Sequence, residues 1–264
     1  MYMRKYVLDL RVTSAVALSE RYLLLTATNP AGRLPEMCPG QFAQLRVDDS
    51  RETFLRRPIS LHSVDYERDE LSFLIQKVGP GTASFWRKEA GSTLNAILPL
   101  GRGFTMPKSQ EHRLLLVGGG VGIAPLLFMG EELRRRGVCP TFLLGARTAS
   151  DLLRLDAYRA LGDVYVTTED GSEGETGFVT HHSVLRSERF DSIAVCGPKP
   201  MMMAMASYAK ERHIPCEVSL ENMMACGLGA CLCCVEETVV GNVCVCKEGP
   251  VFDVERLKWK CLKT

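Results

Sequence analysis

Six of the chain's 11 cysteines lie close together near its end, between Cys226 and Cys246. Three of them, Cys226, Cys231 and Cys234, follow the spacing C-x4-C-x2-C, which is typical of plant-type [2Fe–2S] clusters. A cluster of this type is held by four thiolates, so a fourth cysteine must follow at a distance. The spacing therefore predicts an iron–sulfur centre that moves single electrons.

The residues around these cysteines suit a tightly folded loop. Gly227 and Gly229 can adopt positive φ and leave backbone N–H groups free to approach sulfur atoms. Cys244 and Cys246 are both candidates for the fourth ligand. They lie in residues 239–246, which predict a β-hairpin with a Gly-Asn turn, and residues two apart share one face of a strand. Periodicity leaves both candidates open.

Other roles for cysteine compete with this interpretation. A structural zinc site also takes four cysteines, but such sites pair two short C-x2–4-C units and this chain offers one. Disulfide bonds need an oxidising compartment, and residues 1–5 are not followed by the apolar segment of a signal peptide. Four isolated cysteines are predicted to be buried and free: Cys38, Cys139, Cys216 and Cys261.

The composition describes an ordinary globular protein. Its 264 residues are 46% hydrophobic and 24% charged, with a formal net charge of +1. This balance gives no reason to expect binding to nucleic acid, and no apolar run approaches the ~20 residues that span a bilayer. The length predicts two domains with room for a small third, and the free cysteines favour the reducing cytoplasm.

The first hundred residues are rich in strand-forming segments that are separated by turn residues. A short helix over residues 83–88 is the exception. Antiparallel strands at this spacing predict a barrel or a sandwich. The predicted strands are residues 6–12, 22–28, 41–47, 59–64 and 71–78.

Two features of this region suit phosphate. Arg56 and Arg57 stand at the entry to a strand, and arginine guanidinium groups match phosphate oxygens. The segment Gly79-Pro80-Gly81-Thr82 opens the short helix, where free N–H groups favour an anion. Taken singly, the arginines suit a solvated surface and the glycines a simple turn. Together they support a flavin dinucleotide.

From residue 113 onward, strands alternate with helices, which predicts a doubly wound parallel sheet. The first strand runs into the glycine-rich segment 118–122, where a pyrophosphate could approach the backbone. The match to G-x-G-x-x-G is partial, because Ile123 fills the third glycine position, and a tight turn is the alternative. The predicted strands are residues 113–117, 141–145, 163–168, 192–196 and 215–220, and the helices are 125–136 and 201–212.

The first region resembles the FAD-binding barrel of the ferredoxin reductase superfamily. The resemblance rests on Arg57-Pro58-Ile59-Ser60, Leu74-Ile75-Gln76 and Gly81-Thr82. It implies that Arg57 holds the pyrophosphate and that Ser60 reaches the flavin ring near N5. The backbone of Leu74 to Gln76 would hold the flavin, and Gly81 and Thr82 would meet the phosphates. Ile59 stands where the superfamily often has a stacking tyrosine.

The second region resembles the nicotinamide-nucleotide domain of the same superfamily. The matching segments are Gly118-Gly119-Gly120-Val121-Gly122, Gly145-Ala146-Arg147-Thr148 and Cys196-Gly197-Pro198. They imply that Cys196 positions the nicotinamide against the flavin, and the alternative is a thiol buried at a strand end. Arg147 suits a 2′-phosphate, an adenine or a pyrophosphate, so the choice of NAD over NADP comes from the family alone.

The order of the three parts narrows the resemblance to the electron-transfer subunits of type B, NAD-linked dihydroorotate dehydrogenase. Residues 55–60, 219–231 and 245–252 carry this match, and the resemblance spans the chain. In that family the fourth ligand directly precedes Lys-Glu-Gly-Pro, which selects Cys246. Cys233 and Cys244 would be spectators.

This resemblance implies three domains: a β-barrel FAD domain (1–103), a doubly wound NAD domain (104–220) and a [2Fe–2S] domain (221–264). Electrons would pass from an FMN-containing catalytic subunit, which oxidises dihydroorotate for pyrimidine (UMP) synthesis, through [2Fe–2S] and FAD to NAD+. The family implies a heterotetramer with two copies of each subunit. The alternatives are the small subunit of an NADPH-dependent ferredoxin or glutamate synthase-like complex, and a zinc-stabilised binding module.

Overall fold

A computed structural model describes residues 4–48, 50 and 52–259. Two residues named in the sequence analysis lie outside this range. They are Met1, which begins the segment considered for a signal peptide, and Cys261, which is predicted to be a free cysteine. The chain divides into two compact units. One unit contains the chain up to Gly103, together with Asn222–Glu236 and Val243–Pro250. The other contains Phe104–Glu221, Glu237–Asn242 and the chain from Val251 onward. The three-domain division given by the sequence stays a prediction.

The first unit is built on a seven-stranded antiparallel sheet with the order β4-β3-β7-β1-β2-β6-β5. A single helical turn, α1 (Pro80–Ala83), follows β6 and continues as a 3-10 turn over Ser84–Arg87. The strands are β1 (Tyr6–Ala17), β2 (Tyr22–Thr28), β3 (Phe42–Leu45), β4 (Arg57–Ser60), β5 (Ser63–Asp65), β6 (Glu70–Gln76) and β7 (Thr93–Leu100).

The sheet of the first unit forms a barrel with one buried face. On β1, Leu10 and Val12 are buried while Asp9 and Arg11 are exposed, so one face forms the core. Strands β4 and β6 also contact each other, which draws the two ends of the sheet together. The predicted antiparallel barrel is confirmed.

Three details differ from the sequence prediction. The predicted strand at 59–64 is two strands, β4 and β5, which are separated by Leu61 and His62. The short helix begins at Pro80 rather than at residue 83. Strand β7 was not among the predicted strands, although it pairs with both β1 and β3.

The second unit alternates strands with helices. One of its two long helices, α2 (Ala124–Arg135), has Pro125 in its first turn and ends before Gly137, whose φ of +78° closes the helix. The elements up to residue 219 are β8 (Leu114–Gly119), α2 (Ala124–Arg135), β9 (Thr141–Ala146), α3 (Leu155–Arg159), β10 (Asp163–Thr168), β11 (Glu175–Thr176), α4 (Val184–Ser187), β12 (Ser192–Cys196), α5 (Lys199–Glu211) and β13 (Cys216–Ser219). Short 3-10 turns lie at Gly120–Ile123, Ala149–Asp151 and Val179–His181.

The last part of the chain adds β14 (Val235–Thr238), β15 (Gly241–Cys244), α6 (Val245–Glu248), β16 (Val251–Asp253) and a 3-10 turn over Val254–Arg256. Strands β14 and β15 form a two-stranded sheet, so a hairpin is present as predicted. The predicted turn and length were wrong. Gly241 and Asn242 lie inside β15, which ends at Cys244, and Cys246 belongs to α6.

The sheet of the second unit has the order β11-β10-β9-β8-β12-β13-β16. All neighbouring pairs are parallel except β13 with β16. The chain starts in the middle at β8, winds outward to β9 and β10, and then returns to the other side at β12. The carboxyl ends of β8 and β12 thus flank the topological switch point, where open parallel sheets bind ligands. The predicted doubly wound sheet is confirmed.

Candidate functional site

The cysteine-rich segment is an irregular loop between β13 and β14. Its curvature comes from three residues with left-handed backbone: Gly227 (φ +68°), Gly229 (φ +85°) and Leu232 (φ +57°). Glycine adopts this conformation without the steric cost that a Cβ imposes. The loop belongs to the same compact unit as the barrel and as residues 243–250.

The four predicted ligands form two pairs. The thiols of Cys226 and Cys231 are neighbours that influence each other's proton binding. Cys234 and Cys246 form the second pair, in which the Cys246 N–H donates to Cys234 Sγ at 3.4 Å. A [2Fe–2S] cluster needs two thiolates on each of two irons, so a two-and-two arrangement fits its donor set. Across the described part of the chain, no three His, Cys, Asp or Glu residues are grouped for a single metal ion.

Cys244 and Cys246 occupy different environments. Cys246 is 1% exposed and lies beside Cys234, and its burial raises the pKa of the free thiol to about 12. Cys244 ends β15 and is only half-buried, and its nearest partner is the carbonyl of Gly229 at 4.0 Å. Cys233 is exposed and lies 3.5 Å from the carbonyl of Met223. The pairing with Cys234 therefore favours Cys246 as the fourth ligand.

Backbone N–H groups of the loop point at Cys226. Burial alone would raise the pKa of this thiol, but N–H donors of Leu228, Cys231 and Ala230 and the Cys231 thiol outweigh it and lower the pKa to about 6. The Leu228 N–H lies 3.3 Å from Cys226 Sγ. Because iron binds thiolates, a loop that stabilises the deprotonated form suits an iron centre.

The isolated cysteines divide into two groups. Cys216 is buried as predicted, whereas Cys38 and Cys139 are exposed, so the prediction for these two was wrong. Cys38 precedes the turn that leads into β3, and Cys139 lies in the loop before β9. Neither position is part of a strand or helix that would bury it.

The predicted flavin residues occupy three neighbouring segments of the barrel unit. Arg57, Pro58, Ile59 and Ser60 form the half-buried strand β4. Leu74, Ile75 and Gln76 end β6, where the Gln76 amide lies 3.5 Å from the Tyr22 hydroxyl.

Gly81 and Thr82 lie in α1, directly beside Arg57. A Cβ at Gly81 would lie 2.4 Å from Arg57 Nε, so only glycine admits the guanidinium there. The Thr82 hydroxyl accepts the Val78 N–H at 2.9 Å and is therefore used to hold the turn. The Arg57 Nη1 group donates to the carbonyls of Leu55 and Arg56. Side-chain packing thus fixes one guanidinium beside a glycine turn.

The glycine-rich segment lies at the topological switch point. Gly118 and Gly119 end β8, and Gly120 (φ +56°) starts the turn into α2. A Cβ at Gly122 would lie 2.5 Å from the carbonyl oxygen of Cys196, so this residue must be glycine for the two loops to meet. The buried Tyr158 hydroxyl donates to the Ile123 carbonyl at 2.9 Å and fixes the turn from below. The backbone is thereby left open to a pyrophosphate, as dinucleotide folds require.

Cys196 ends β12 and pairs with Gly118 on the adjacent strand. It is 2% exposed, and burial, followed by the negative charge of Glu221, raises the pKa of its thiol. The group is therefore a neutral thiol at physiological pH. Its burial matches the alternative drawn from the sequence, and a positioning role stays a prediction. Arg147 is exposed just beyond β9.

Sequence reasoning did not single out Gln44, which lies beneath the cysteine loop. A Cβ at Gly227 would lie 2.6 Å from Gln44 Cγ, and Gln44 is fully buried. Its two side-chain polar atoms have no hydrogen-bond partner. From the sequence, a glutamine on the outward face of a barrel strand is expected to be exposed to solvent. No local pattern therefore predicts that Gln44 is buried.

Two family models match the chain. Residues 221–258 match the iron-sulfur cluster binding domain of dihydroorotate dehydrogenase B. Residues 116–207 match the oxidoreductase NAD-binding domain. The first match covers all four predicted cluster ligands and describes an iron–sulfur domain rather than a zinc module.

A solved structure described as an NADH-dependent reduced ferredoxin-NADP oxidoreductase of flavin-based electron bifurcation shares the fold. It aligns with a TM-score of 0.84 and 29% identity, over 96% of this chain and 90% of that chain. The Amycolatopsis cytochrome P450 reductase GcoB aligns with a TM-score of 0.67 and 24% identity, over 80% and 67% of the two chains. The second likeness concerns the fold alone.

Curated relatives align along almost the whole chain. The "Dihydroorotate dehydrogenase B (NAD(+)), electron transfer subunit" of Geobacillus kaustophilus is 38% identical over 91% of this chain and 94% of its own length. The protein of the same description from Bacillus caldolyticus shows the same identity and coverage. That of Bacillus velezensis is 39% identical over 83% of this chain and 86% of its own length. The chain therefore belongs to the family of electron transfer subunits of dihydroorotate dehydrogenase B.

Proposed function

We propose that this chain is the electron transfer subunit of an NAD-linked dihydroorotate dehydrogenase in pyrimidine (UMP) biosynthesis. Its partner is an FMN-containing catalytic subunit that oxidises dihydroorotate, in an assembly of two copies of each subunit. The observation that carries the proposal is the two-and-two pairing of four cysteines inside the segment that matches the family's iron–sulfur model. In this proposal the catalytic subunit, and not this chain, binds and oxidises dihydroorotate. Without its partner, this chain would oxidise NADH with an artificial electron acceptor.

The bound groups supply the redox chemistry: a [2Fe–2S] cluster exchanges single electrons, NAD takes a hydride, and FAD can do both. The protein's task is to bind and orient them. Cys226 and Cys231 would hold one iron, and Cys234 and Cys246 the other. The N–H groups that already point at Cys226 would stabilise its thiolate. The loop backbone therefore supports the ligands as well as presenting them.

The flavin would be held by the barrel unit. Arg57 is held beside Gly81, and its delocalised charge suits the pyrophosphate of FAD. Ser60 would meet the ring edge, and the backbone of Leu74, Ile75 and Gln76 would line the flavin. Ile59 offers an apolar contact where a stacking aromatic ring is common in related barrels.

The nucleotide would be held by the second unit. The backbone of Gly118, Gly119, Gly120 and Gly122 would lie against the pyrophosphate at the switch point of the sheet. Arg147, exposed beyond β9, would reach the adenosine half. The neutral Cys196 thiol would shape the floor of the nicotinamide site without carrying charge into it.

Exposed apolar side chains on the cysteine loop suit a protein partner. Met223 is 85% exposed, Leu232 66% and Leu228 42%. Exposed apolar groups that are grouped in one segment mark interaction surfaces. We assign this surface to the catalytic subunit, because one-electron transfer requires that the donor approach the cluster closely.

We also place the subunit in the cytoplasm. The ten described cysteines form no disulfide bonds, which suits a reducing compartment. No helix within the described ranges is long and apolar enough to cross a membrane. Fractionation of cells that express a tagged chain tests this placement.

The test of the function uses the chain co-purified with its catalytic partner. Iron, acid-labile sulfide, FAD and FMN are measured, and NADH formation is followed after addition of dihydroorotate and NAD+. We expect two irons and one FAD per chain, and NADH formation that depends on both substrates. A complex with this cofactor content that does not respond to dihydroorotate would overturn the proposal.

A second candidate is the small subunit of an NADPH-dependent ferredoxin or glutamate synthase-like complex. The structural match to a ferredoxin-NADP oxidoreductase, at 29% identity over nearly the whole chain, is the observation that favours it. Oxidation of NADPH in preference to NADH, together with no response to dihydroorotate, would support this second function.

A further inference from the structure

Gln44 lies on β3 with its side chain on the outward face of the barrel. Its strand neighbours Ala43 and Leu45 are buried, and Leu45 pairs with Ala96, which lies on the inward face of β7. Gln44 pairs with Ile97 on the opposite face of β7. An outward position on a barrel strand usually meets water, yet Gln44 is 0% exposed.

The cysteine loop is what covers this residue. A Cβ added to Gly227 would lie 2.6 Å from Cγ and 2.8 Å from Nε2 of Gln44. The Gln44 amide therefore packs against the backbone of Gly227, the residue that follows Cys226. Phe42 lies on the same strand face two residues earlier, and it abuts Gly101, which in turn lies against Pro250. The outward face of β3 thus forms the floor of the loop.

The buried amide lacks partners. Neither Nε2 nor Oε1 of Gln44 has a hydrogen-bond partner, although both are buried. Leaving a buried polar group unpaired destabilises the folded state, because the group loses its hydrogen bonds to water and gains none in return. Natural proteins pair nearly all such groups, and a bound group absent from the structure is one explanation for an exception. The strand itself is fixed, because the Arg56 guanidinium donates to the Gln44 carbonyl at 3.1 Å.

We propose that the Gln44 carboxamide donates a hydrogen bond from Nε2 to a sulfur of the cluster or to the Cys226 thiolate, and that this bond raises the cluster's affinity for an electron. This inference rests on the proposed function of the loop. Hydrogen bonds to cluster sulfurs stabilise the additional negative charge of the reduced state and so raise the reduction potential. Water is excluded from the amide, which strengthens the bond. Gln44 is thus a positioning and tuning residue for the centre, and not one of its ligands.

The test replaces Gln44 by methionine, which keeps the length of the side chain and removes both donors. The reduction potential of the cluster is measured in the assembled complex by titration followed by electron paramagnetic resonance. We expect Gln44→Met to lower the equilibrium constant for reduction about tenfold, which is about 59 mV for one electron. The g values of the reduced centre should also shift.

A matched control separates this effect from general changes of the barrel. Ser72 on β6 is a second buried side chain in the same unit without a hydrogen-bond partner. Ser72→Ala should leave the potential and the g values at their wild-type values. In cluster-free protein, the melting temperature of Gln44→Met should be no lower than that of wild type, because the substitution removes an unpaired buried amide. Gln44→Leu provides a second variant if the methionine protein is not recovered.

The outcomes distinguish this inference from the function on which it rests. Wild-type protein without a [2Fe–2S] signal would contradict the proposed function. A wild-type signal that is unchanged in potential and shape in Gln44→Met or Gln44→Leu would overturn the role of Gln44 alone. A shift of the same size in Ser72→Ala would also overturn it, because the effect would then not depend on the contact with Gly227.

Discussion

The backbone N–H of Cys246 donates to Sγ of Cys234 across 3.4 Å, in a pocket where both cysteines are almost fully buried. This contact joins the short helix α6 to the end of the cysteine loop. Cys244, only two residues earlier, ends a strand and has no comparable bond to a cysteine among the described residues. The contact favours Cys246 over Cys244 as the predicted fourth ligand, although periodicity in the sequence leaves the two cysteines equivalent.

The first prediction follows from this choice. Cys246→Ala should abolish cluster assembly, because it removes the proposed fourth ligand, which is buried beside Cys234. Cys244→Ala is the matched control, and it should keep the wild-type content of two irons and two sulfides per chain. Iron and sulfide analysis with visible absorbance checks both variants. The reverse pattern, with Cys244 required and Cys246 dispensable, would contradict the ligand assignment.

Arg57 should matter for flavin retention. Arg57→Ala removes a guanidinium assigned to the FAD pyrophosphate, and charge-assisted hydrogen bonds contribute about 1.5–3 kcal/mol each. FAD affinity should fall by roughly 10- to 100-fold, while iron content stays the same. The exposed Arg11 on β1 serves as control, since Arg11→Ala removes the same charge from the same unit. Equal FAD affinities in both variants, measured by fluorescence of released flavin, would refute the assignment.

Gly122 should be intolerant of a side chain. In Gly122→Ala the new Cβ meets the backbone of Cys196 and Gly197 at 2.5 Å, and backbone cannot move aside as a flexible side chain can. We expect weaker NADH binding by tenfold or more and a lower melting temperature. In Gly120→Ala nothing lies within 4 Å of the new Cβ, and its cost is left-handed strain of about 1–2 kcal/mol. Calorimetric NADH titration that finds Gly122→Ala less impaired than Gly120→Ala would contradict this packing.

Alkaline pH should destabilise the protein through Cys216. Burial, and then the charges of Asp253 and Glu217, raise the pKa of this thiol to about 12. An unfolded cysteine titrates near ~8.5, so the folded state binds its proton more tightly. The resulting stability is fully present below ~8.5 and is lost as the pH rises toward 12, by on the order of 2 kcal/mol at pH 10.

Urea unfolding between pH 7 and pH 10 checks this sign. Cys216→Ala should be somewhat less stable than wild type at pH 7, because it leaves a small cavity, and the difference should shrink or reverse at pH 10. The exposed Cys139 gives the control, since Cys139→Ala should follow the wild-type pH dependence. A constant difference between Cys216→Ala and wild type across this range would show that folding does not raise the pKa of this thiol and would contradict the prediction.

The sequence predicted those features that repeat locally. Segments rich in strand-forming residues and separated by turns predicted the barrel, and the alternation of strands with helices predicted the parallel sheet with its glycine-rich turn. Strand β7 escaped prediction because it contains Asn95 and Pro99, which are unusual in a central strand. The structure accommodates it with an irregular register between Phe42 and Gln44 on β3.

The candidate site was predictable to the extent that its chemistry is encoded by spacing. The C-x4-C-x2-C pattern predicted three ligands, whereas the fourth was selected only by the family resemblance, because periodicity leaves Cys244 and Cys246 equivalent. The burial of Gln44 could not be predicted, because the sequence of β3 does not show which distant segment covers the outward face of this strand. Buried polar groups of this kind are recognised only when the covering loop, here at Gly227, is in place.

The central claim is that the cysteine loop carries electrons from the catalytic subunit toward NAD+. The most direct test uses the complex with Cys231→Ala, a substitution at an exposed cysteine that spares the core. We predict that dihydroorotate still reduces a dye through the catalytic subunit, while NADH formation falls by at least 100-fold with FAD content unchanged. NADH formation at the wild-type rate in a complex shown to lack the cluster would contradict the claim.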